Sequence, residues 1–129
     1  MNVSELARRA GLTAKAVRFY ESAGAIPVAE RGANGYRSYS DDDLCRLRVI
    51  VSLRGMGLPL ADSGRLASLC VADKCDVMAT ELLDLVRDRR AEVANQRREL
   101  DHLERELAAV ESALKGESPK LNLCAKGGE

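Results

Sequence analysis

Apolar positions recur every three or four residues along most of this chain, in short runs broken by glycine in the first half and in one long unbroken run in the second. In the first run Val3, Leu6, Ala7 and Ala10 share a face, Ser4 stands where a capping side chain belongs and Gly11 supplies a stop, which predicts a helix over about residues 4–10. Thr13 opens a second run, in which Ala16, Val17 and Tyr20 form one face and Lys15 and Arg18 another, until Gly24 ends it. Two short helices joined by Gly-Leu-Thr read as a helix-turn-helix, with the second helix shaped to enter a major groove.

After Pro27 the period changes. The segment Arg31-Gly-Ala-Asn34-Gly35-Tyr36-Arg37-Ser-Tyr39 carries an Asn-Gly pair, a signal for a tight hairpin with positive φ, and so predicts a wing. Ser40 followed by three aspartates marks the start of another helix, with Leu44, Leu47, Ile50, Val51 and Leu53 inward and Gly55-Met-Gly57 as its stop. A further helix follows Pro59 and runs to about Leu69, with Leu60, Leu66 and Leu69 inward. Residues 76–115 then contain neither proline nor glycine, which predicts a helix of about 40 residues, roughly 60 Å long. From Leu82 the positions Val86, Arg89, Val93, Gln96, Leu100, Leu103, Leu107, Val110 and Leu114 step by four and three, a heptad seam that its own chain is too short to bury and that calls for a second copy.

Composition narrows the function. The chain has a formal charge of zero, yet residues 1–60 hold nine Lys/Arg against six Asp/Glu, whereas residues 61–129 hold eleven against fourteen. The positive half is the helix-turn-helix half, which favours phosphate and predicts salt-sensitive DNA binding. Arg31, Arg37 and the tyrosine hydroxyls suit phosphate contacts, while Lys15 and Arg18 suit base edges or backbone. No Gly-rich phosphate loop, carboxylate pair or nucleophile-base arrangement stands out, so an enzyme is not expected. No apolar run approaches membrane-spanning length and no signal-peptide pattern is present, which points to a cytoplasmic protein without a membrane partner.

The phrases ELARRAGLTAKAVRFYESAG, NGYRSYS and LRVIVSLRGMGLPL closely resemble the mercury-resistance-regulator (MerR) family of transcription regulators, in its metal-sensing branch. The resemblance implies a mainly α fold: a winged helix-turn-helix at 1–39, a helical pair at 40–72, a dimerisation helix at 75–115 forming an antiparallel coiled coil, and an effector-binding tail at 116–129. It also implies DNA contacts at Arg18, Tyr20, Tyr36, Arg37 and Tyr39, with Lys15, Arg31 and Arg54 as further ones. The implied partners are double-stranded promoter DNA, a second copy of the chain and RNA polymerase at the promoter.

Four cysteines, Cys45, Cys70, Cys75 and Cys124, remain to be placed. Thiols in a cytoplasmic protein are reduced ligands or sensors more often than disulfides. Cys75 opens the long helix, whose positive dipole end favours a thiolate, and Cys124 lies about ten residues past the helix end. In the antiparallel dimer that the resemblance implies, Cys124 of one copy approaches Cys75, and Cys70, of the other. Three sulfurs without a nearby histidine suit a soft, thiophilic ion. Metal-sensing relatives carry a ligand cysteine at the head of this helix, which implies Hg(II), Pb(II), Cd(II) or Zn(II); relatives with serine there answer monovalent ions. They also place two cysteines after the helix where this chain has only Cys124, so Cys70 is the candidate replacement. Cys45, within an amphipathic helix, reads as a small buried apolar residue, and His102 as a solvent-facing one. Two other functions fit the same head: a thiol sensor of oxidants or electrophiles without metal, and a purely architectural DNA-binding dimer.

Overall fold

The computed structural model describes residues 1–116 of the 129. Among them the chain forms α1 (Val3–Ala10), α2 (Ala14–Ser22), β1 (Glu30–Arg31), β2 (Arg37–Ser38), α3 (Asp41–Gly55), α4 (Leu60–Val71) and α5 (Cys75–Lys115). The protein is mainly α, as its periodicity predicts.

Local chemistry explains most element ends. The α1 cap is Asn2 rather than Ser4: its side chain accepts from the Glu5 N–H at 2.8 Å, so the helix begins at Val3, one residue before the expected start. Thr13 caps α2 as expected, accepting from Ala16 N–H at 3.1 Å. Ser40 and Asp43 form a reciprocal capping box on α3, and Asp41, Asp42 and Asp43 lie at the positive end of its dipole. The C-terminal ends share one design, in which a left-handed residue turns the chain and two backbone N–H groups return to the last-turn carbonyls. Gly11, Gly24 and Gly57 fill that place after α1, α2 and α3. After α4 it is Asp73, at φ 60°, with Asp73 N–H donating to Cys70 at 3.2 Å and Lys74 N–H to Leu69 at 3.0 Å.

Two units divide the chain, Met1–Arg89 and a second that opens at Arg90. In the first unit the main core gathers Leu6, Val17, Ile26, Leu44, Leu47 and Ile50, so α1, α2 and α3 bury one another's apolar faces. A satellite core of Leu53, Leu58 and Leu66 lies under Val49, Leu69, Met78, Leu82 and Leu85. Those last three residues draw the start of α5, within the 75–115 segment that the resemblance implies as a dimerisation helix, into the first unit.

Arg89, a polar member of that seam, is occupied at the α3–α4 turn. Its Nε donates to the Met56 carbonyl at 2.9 Å, and a Cβ placed on Gly57 (φ 85°) would lie 2.6 Å from the guanidinium. Gly57→Ala is therefore expected to lower stability by about 1–2 kcal/mol through the left-handed backbone alone, with displacement of Arg89 adding to it. Thermal unfolding checks this; an unchanged midpoint would mean that the turn relaxes freely.

In the second unit the described part of α5 is exposed almost throughout. Leu100 is 64% exposed, Leu107 56% and Leu114 60%, with Val93 and Leu103 also open. Glu99 accepts from Asn95 and Glu106 faces His102 at 2.9 Å, pairs spaced as expected on a helix surface. His102 is solvent-facing, as its place in the seam pattern suggests.

Candidate functional site

The wing is a short antiparallel hairpin in which Glu30 pairs with Ser38 and Arg31 with Arg37. Its turn is longer than an Asn-Gly pair alone predicts. Gly35 N–H closes on the Gly32 carbonyl at 3.0 Å, Gly32 N–H donates to Tyr36 at 2.8 Å, and only Gly35 has a positive φ, 79°. That is the three-residue loop whose last residue is left-handed. Asn34 serves it by accepting from Tyr36 N–H at 3.1 Å.

Helix α2 and the wing converge. Arg18 on α2 and Tyr36 and Arg37 on the wing line an open cleft of about 450 Å3 together with Asn2, Val3, Asn34 and Tyr39. Lys15 is exposed on α2, Tyr36 is 73% exposed, and Arg31 is exposed on β1, its Nη1 3.5 Å from the Gly35 carbonyl. Tyr20 is half-buried, its ring 5.6 Å from that of Phe19, which is itself exposed. Arg54 is exposed on α3 and does not line that cleft, donating from Nη1 to the Leu58 carbonyl at 3.1 Å.

Tyr39 departs from its expected place as a DNA contact. It is only 4% exposed, and its hydroxyl donates to Glu21 Oε2 at 2.6 Å. A hydroxyl committed to a buried carboxylate has no donor left for phosphate. Burial pushes the Tyr39 hydroxyl above its ordinary pKa, and the Glu21 carboxylate beside it pushes the same way. The backbone of Tyr39 is tied as well, its N–H donating to the Met1 carbonyl at 2.7 Å and its carbonyl accepting from the terminal amine at 3.0 Å.

Glu21 is the residue that sequence reasoning passed over. It is 5% exposed and gathers three partners from later in the chain: Arg37 Nη1 at 2.6 Å, the Tyr39 hydroxyl, and Ala29 N–H at 3.4 Å. An ionised carboxylate in a core is tolerable only when so partnered. The consequence is mechanical: one α2 side chain anchors both the entry and the exit of the wing while Arg18 projects from the same helix.

The cysteines occupy a second region of the first unit. Cys75 is exposed and is the first residue of α5, and Cys70 is half-buried in the last turn of α4. Burial raises the Cys70 thiol pKa, and the neighbouring thiols of Cys45 and Cys75 raise it further. Cys45 is exposed on α3, not the buried filler its helix suggested: the inward face runs through Leu44, Leu47 and Ile50, and Cys45 falls beside that stripe. Cys124 lies outside the described residues. Among the described residues no three His, Cys, Asp or Glu side chains converge as a metal-holding group, and no helix is long and apolar enough to cross a membrane.

A helix pair, a buttressed wing and a cationic cleft between them define a winged helix-turn-helix DNA-binding protein. Residues 1–69 match the MerR HTH family regulatory proteins, and residues 44–110 match the DNA-binding region described as MerR, DNA binding. The chain is 38% identical over 109 residues to the HTH-type transcriptional regulator HmrR of Rhizobium leguminosarum bv. viciae, covering 80% of this chain and 83% of that protein. Among solved structures it is similar to the transcription regulator PbrR691 from Ralstonia metallidurans CH34 in complex with lead(II), with a TM-score of 0.72 and 32% identity over 88% of this chain and 87% of the other. It also resembles HiNmlR, a MerR family regulator lacking the sensor domain, bound to promoter DNA (TM-score 0.64, 27% identity, 92% and 95% covered). The chain belongs to the MerR family of transcriptional regulators, proteins that act on DNA and not as enzymes.

Proposed function

We propose that this regulator is a metal-responsive transcriptional activator that holds a promoter as a homodimer and answers a thiophilic ion through cysteine. The observation that carries the reading is the placement of an exposed Cys75 at the first residue of α5 with Cys70 beside it, in a chain similar over most of its length to a regulator solved with lead(II). The donor set fits a soft ion, since every candidate ligand is sulfur.

The exposed leucines of α5 are where a second copy packs, in an antiparallel two-helix coil. That arrangement brings Cys124 of one chain to Cys75 and Cys70 of its partner and sets two wings on a two-fold promoter site. Lys15, Arg18, Tyr20, Arg31, Tyr36, Arg37 and Arg54 face the DNA; Tyr39 contributes by fixing the wing. Ion capture, by Hg(II), Pb(II), Cd(II) or Zn(II), ties the sulfurs of two chains together and favours one arrangement of the heads over another. The DNA is thereby bent and untwisted, so that RNA polymerase starts transcription of resistance or efflux genes. This activity belongs in the cytoplasm.

Cys75→Ser tests the reading. Metal-dependent transcription in vitro is expected to disappear while promoter affinity stays within about 1 kcal/mol of the parent. Retained induction would remove Cys75 from the site, and lost DNA binding would make it structural. Transcription that instead follows reversible thiol modification without metal would favour an oxidant or electrophile sensor.

A further inference from the structure

The face of α5 that packs on the satellite core ends in a charge. Met78, Leu82 and Leu85 lie against that core, and Arg89 continues their spacing of four, three and four, so the four side chains share one helix face. Arg89 is also the last residue of the first unit. Its half-buried side chain crosses to the α3–α4 turn, where Nε donates to the Met56 carbonyl at 2.9 Å. Two residues further on, the Leu58 carbonyl of the same turn accepts from Arg54 Nη1 at 3.1 Å. One short stretch of backbone therefore carries a guanidinium from α5 on one carbonyl and a guanidinium from α3 on the next but one.

The stretch between them is stiff. Gly57 stands there at φ 85°, and a Cβ on it would lie 2.6 Å from the Arg89 guanidinium, so its missing side chain is what lets α5 close on the turn. Leu58 is 2% exposed in the satellite core and its N–H returns to the Leu53 carbonyl at 3.1 Å, which fixes the residue whose carbonyl Arg54 grips. A guanidinium has five N–H donors in a rigid fork, so the bond to Leu58 orients Arg54 and leaves donors for a phosphate. We infer that Arg89 is a positioning residue for DNA binding, resting on the proposed role of Arg54 as a DNA contact: by holding the Met56 carbonyl it fixes the α3–α4 turn from α5 and so aims Arg54 at the phosphate backbone. The start of α5 thereby has a path to the DNA that passes through neither α2 nor the wing.

Two substitutions of equal length test the bond. Arg89→Met keeps the apolar stem and has no donor, whereas Arg89→Gln places an amide N–H where the arginine Nε stood and removes the charge. Affinity of the full-length protein is measured, as a function of salt, for a DNA duplex selected by the parent protein from a random-sequence pool, at a temperature below every variant's unfolding midpoint. Arg54→Ala is expected to weaken binding by about fivefold and to make the salt dependence shallower by about one per bound chain. Arg89→Met is expected to do the same in the parent, and to change affinity by less than about twofold once Arg54 is already alanine, because both substitutions remove one contact. Arg89→Gln is expected to restore affinity to within about twofold of the parent, with the parent's salt dependence. An equal loss from Arg89→Met in both backgrounds, or none in the parent, overturns the inference and leaves Arg54 as a contact. A loss from Arg89→Gln as large as that from Arg89→Met overturns it too, since the charge and not the bond would then matter. If Arg54→Ala binds as the parent does, the role of Arg54 falls and this inference with it.

Discussion

Glu21→Ala is expected to cost the first unit about 2–3 kcal/mol, because it leaves the buried Tyr39 hydroxyl without a partner and removes a charge-assisted bond to Arg37. Arg37 is partly exposed and finds water, so the larger penalty of an abandoned buried charge does not apply to it. For a unit of this size the loss corresponds to a fall of about 10–20 °C in the unfolding midpoint. Promoter affinity should fall further than stability explains, since the wing loses its anchor to α2 and must be ordered on binding. Tyr39→Phe separates the two effects: it removes one donor but keeps Arg37 on Glu21, and should cost about 1 kcal/mol with most of the DNA affinity kept. If Glu21→Ala bound promoter DNA as well as the parent at a temperature where both are folded, the wing would not depend on this carboxylate.

Leu103→Lys combined with Leu107→Lys is expected to convert the proposed dimer to a single chain in sedimentation equilibrium. Both leucines are exposed within one chain, and burying a leucine against a partner contributes about 1.5–3 kcal/mol. Across two copies the pair of substitutions removes several such contributions and sets like charges against each other. Thermal stability of the first unit should hardly change, because neither residue belongs to its cores. Binding to a two-fold promoter should weaken to that of one head on one half-site, with a shallower dependence on salt as fewer phosphates are engaged. A variant that still sediments as a dimer would place the self-association surface elsewhere than on this stripe.

Legibility in the sequence followed the range of the interactions concerned. Caps and stops are local, so Thr13, Ser40, Gly11, Gly24 and Gly57 announce the ends of α1 to α3, and the heptad pattern announces α5. The α4 end carries no glycine, and a left-handed Asp73 has no signal in a single sequence. Glu21 reads as an ordinary surface glutamate, because its partners lie eight to eighteen residues away and meet only in the fold; the RFYE phrase contained it without stating its role. Tyr39 was misplaced for the same reason. Cys45 was the opposite case: Leu44 and Leu47 already fix the inward face of α3, and the one-residue offset from Leu44 turns a side chain about 100° around the helix. Arg89 is a polar member of the seam, and its Nε donates to a carbonyl 33 positions earlier, which no local pattern announces.

The joint at residues 72–74 behaves as a caliper whose jaws carry sulfur. Its gap is set by two backbone bonds and one left-handed aspartate, none of which involves the thiols. Inserting or deleting a residue there would rotate Cys75 around its helix axis relative to Cys70, whereas Asp73→Gly would relax the joint and leave the gap unchanged. The spacing between positions 70 and 75 is thus machined into the main chain, and the side chains at the jaws can be exchanged without altering it.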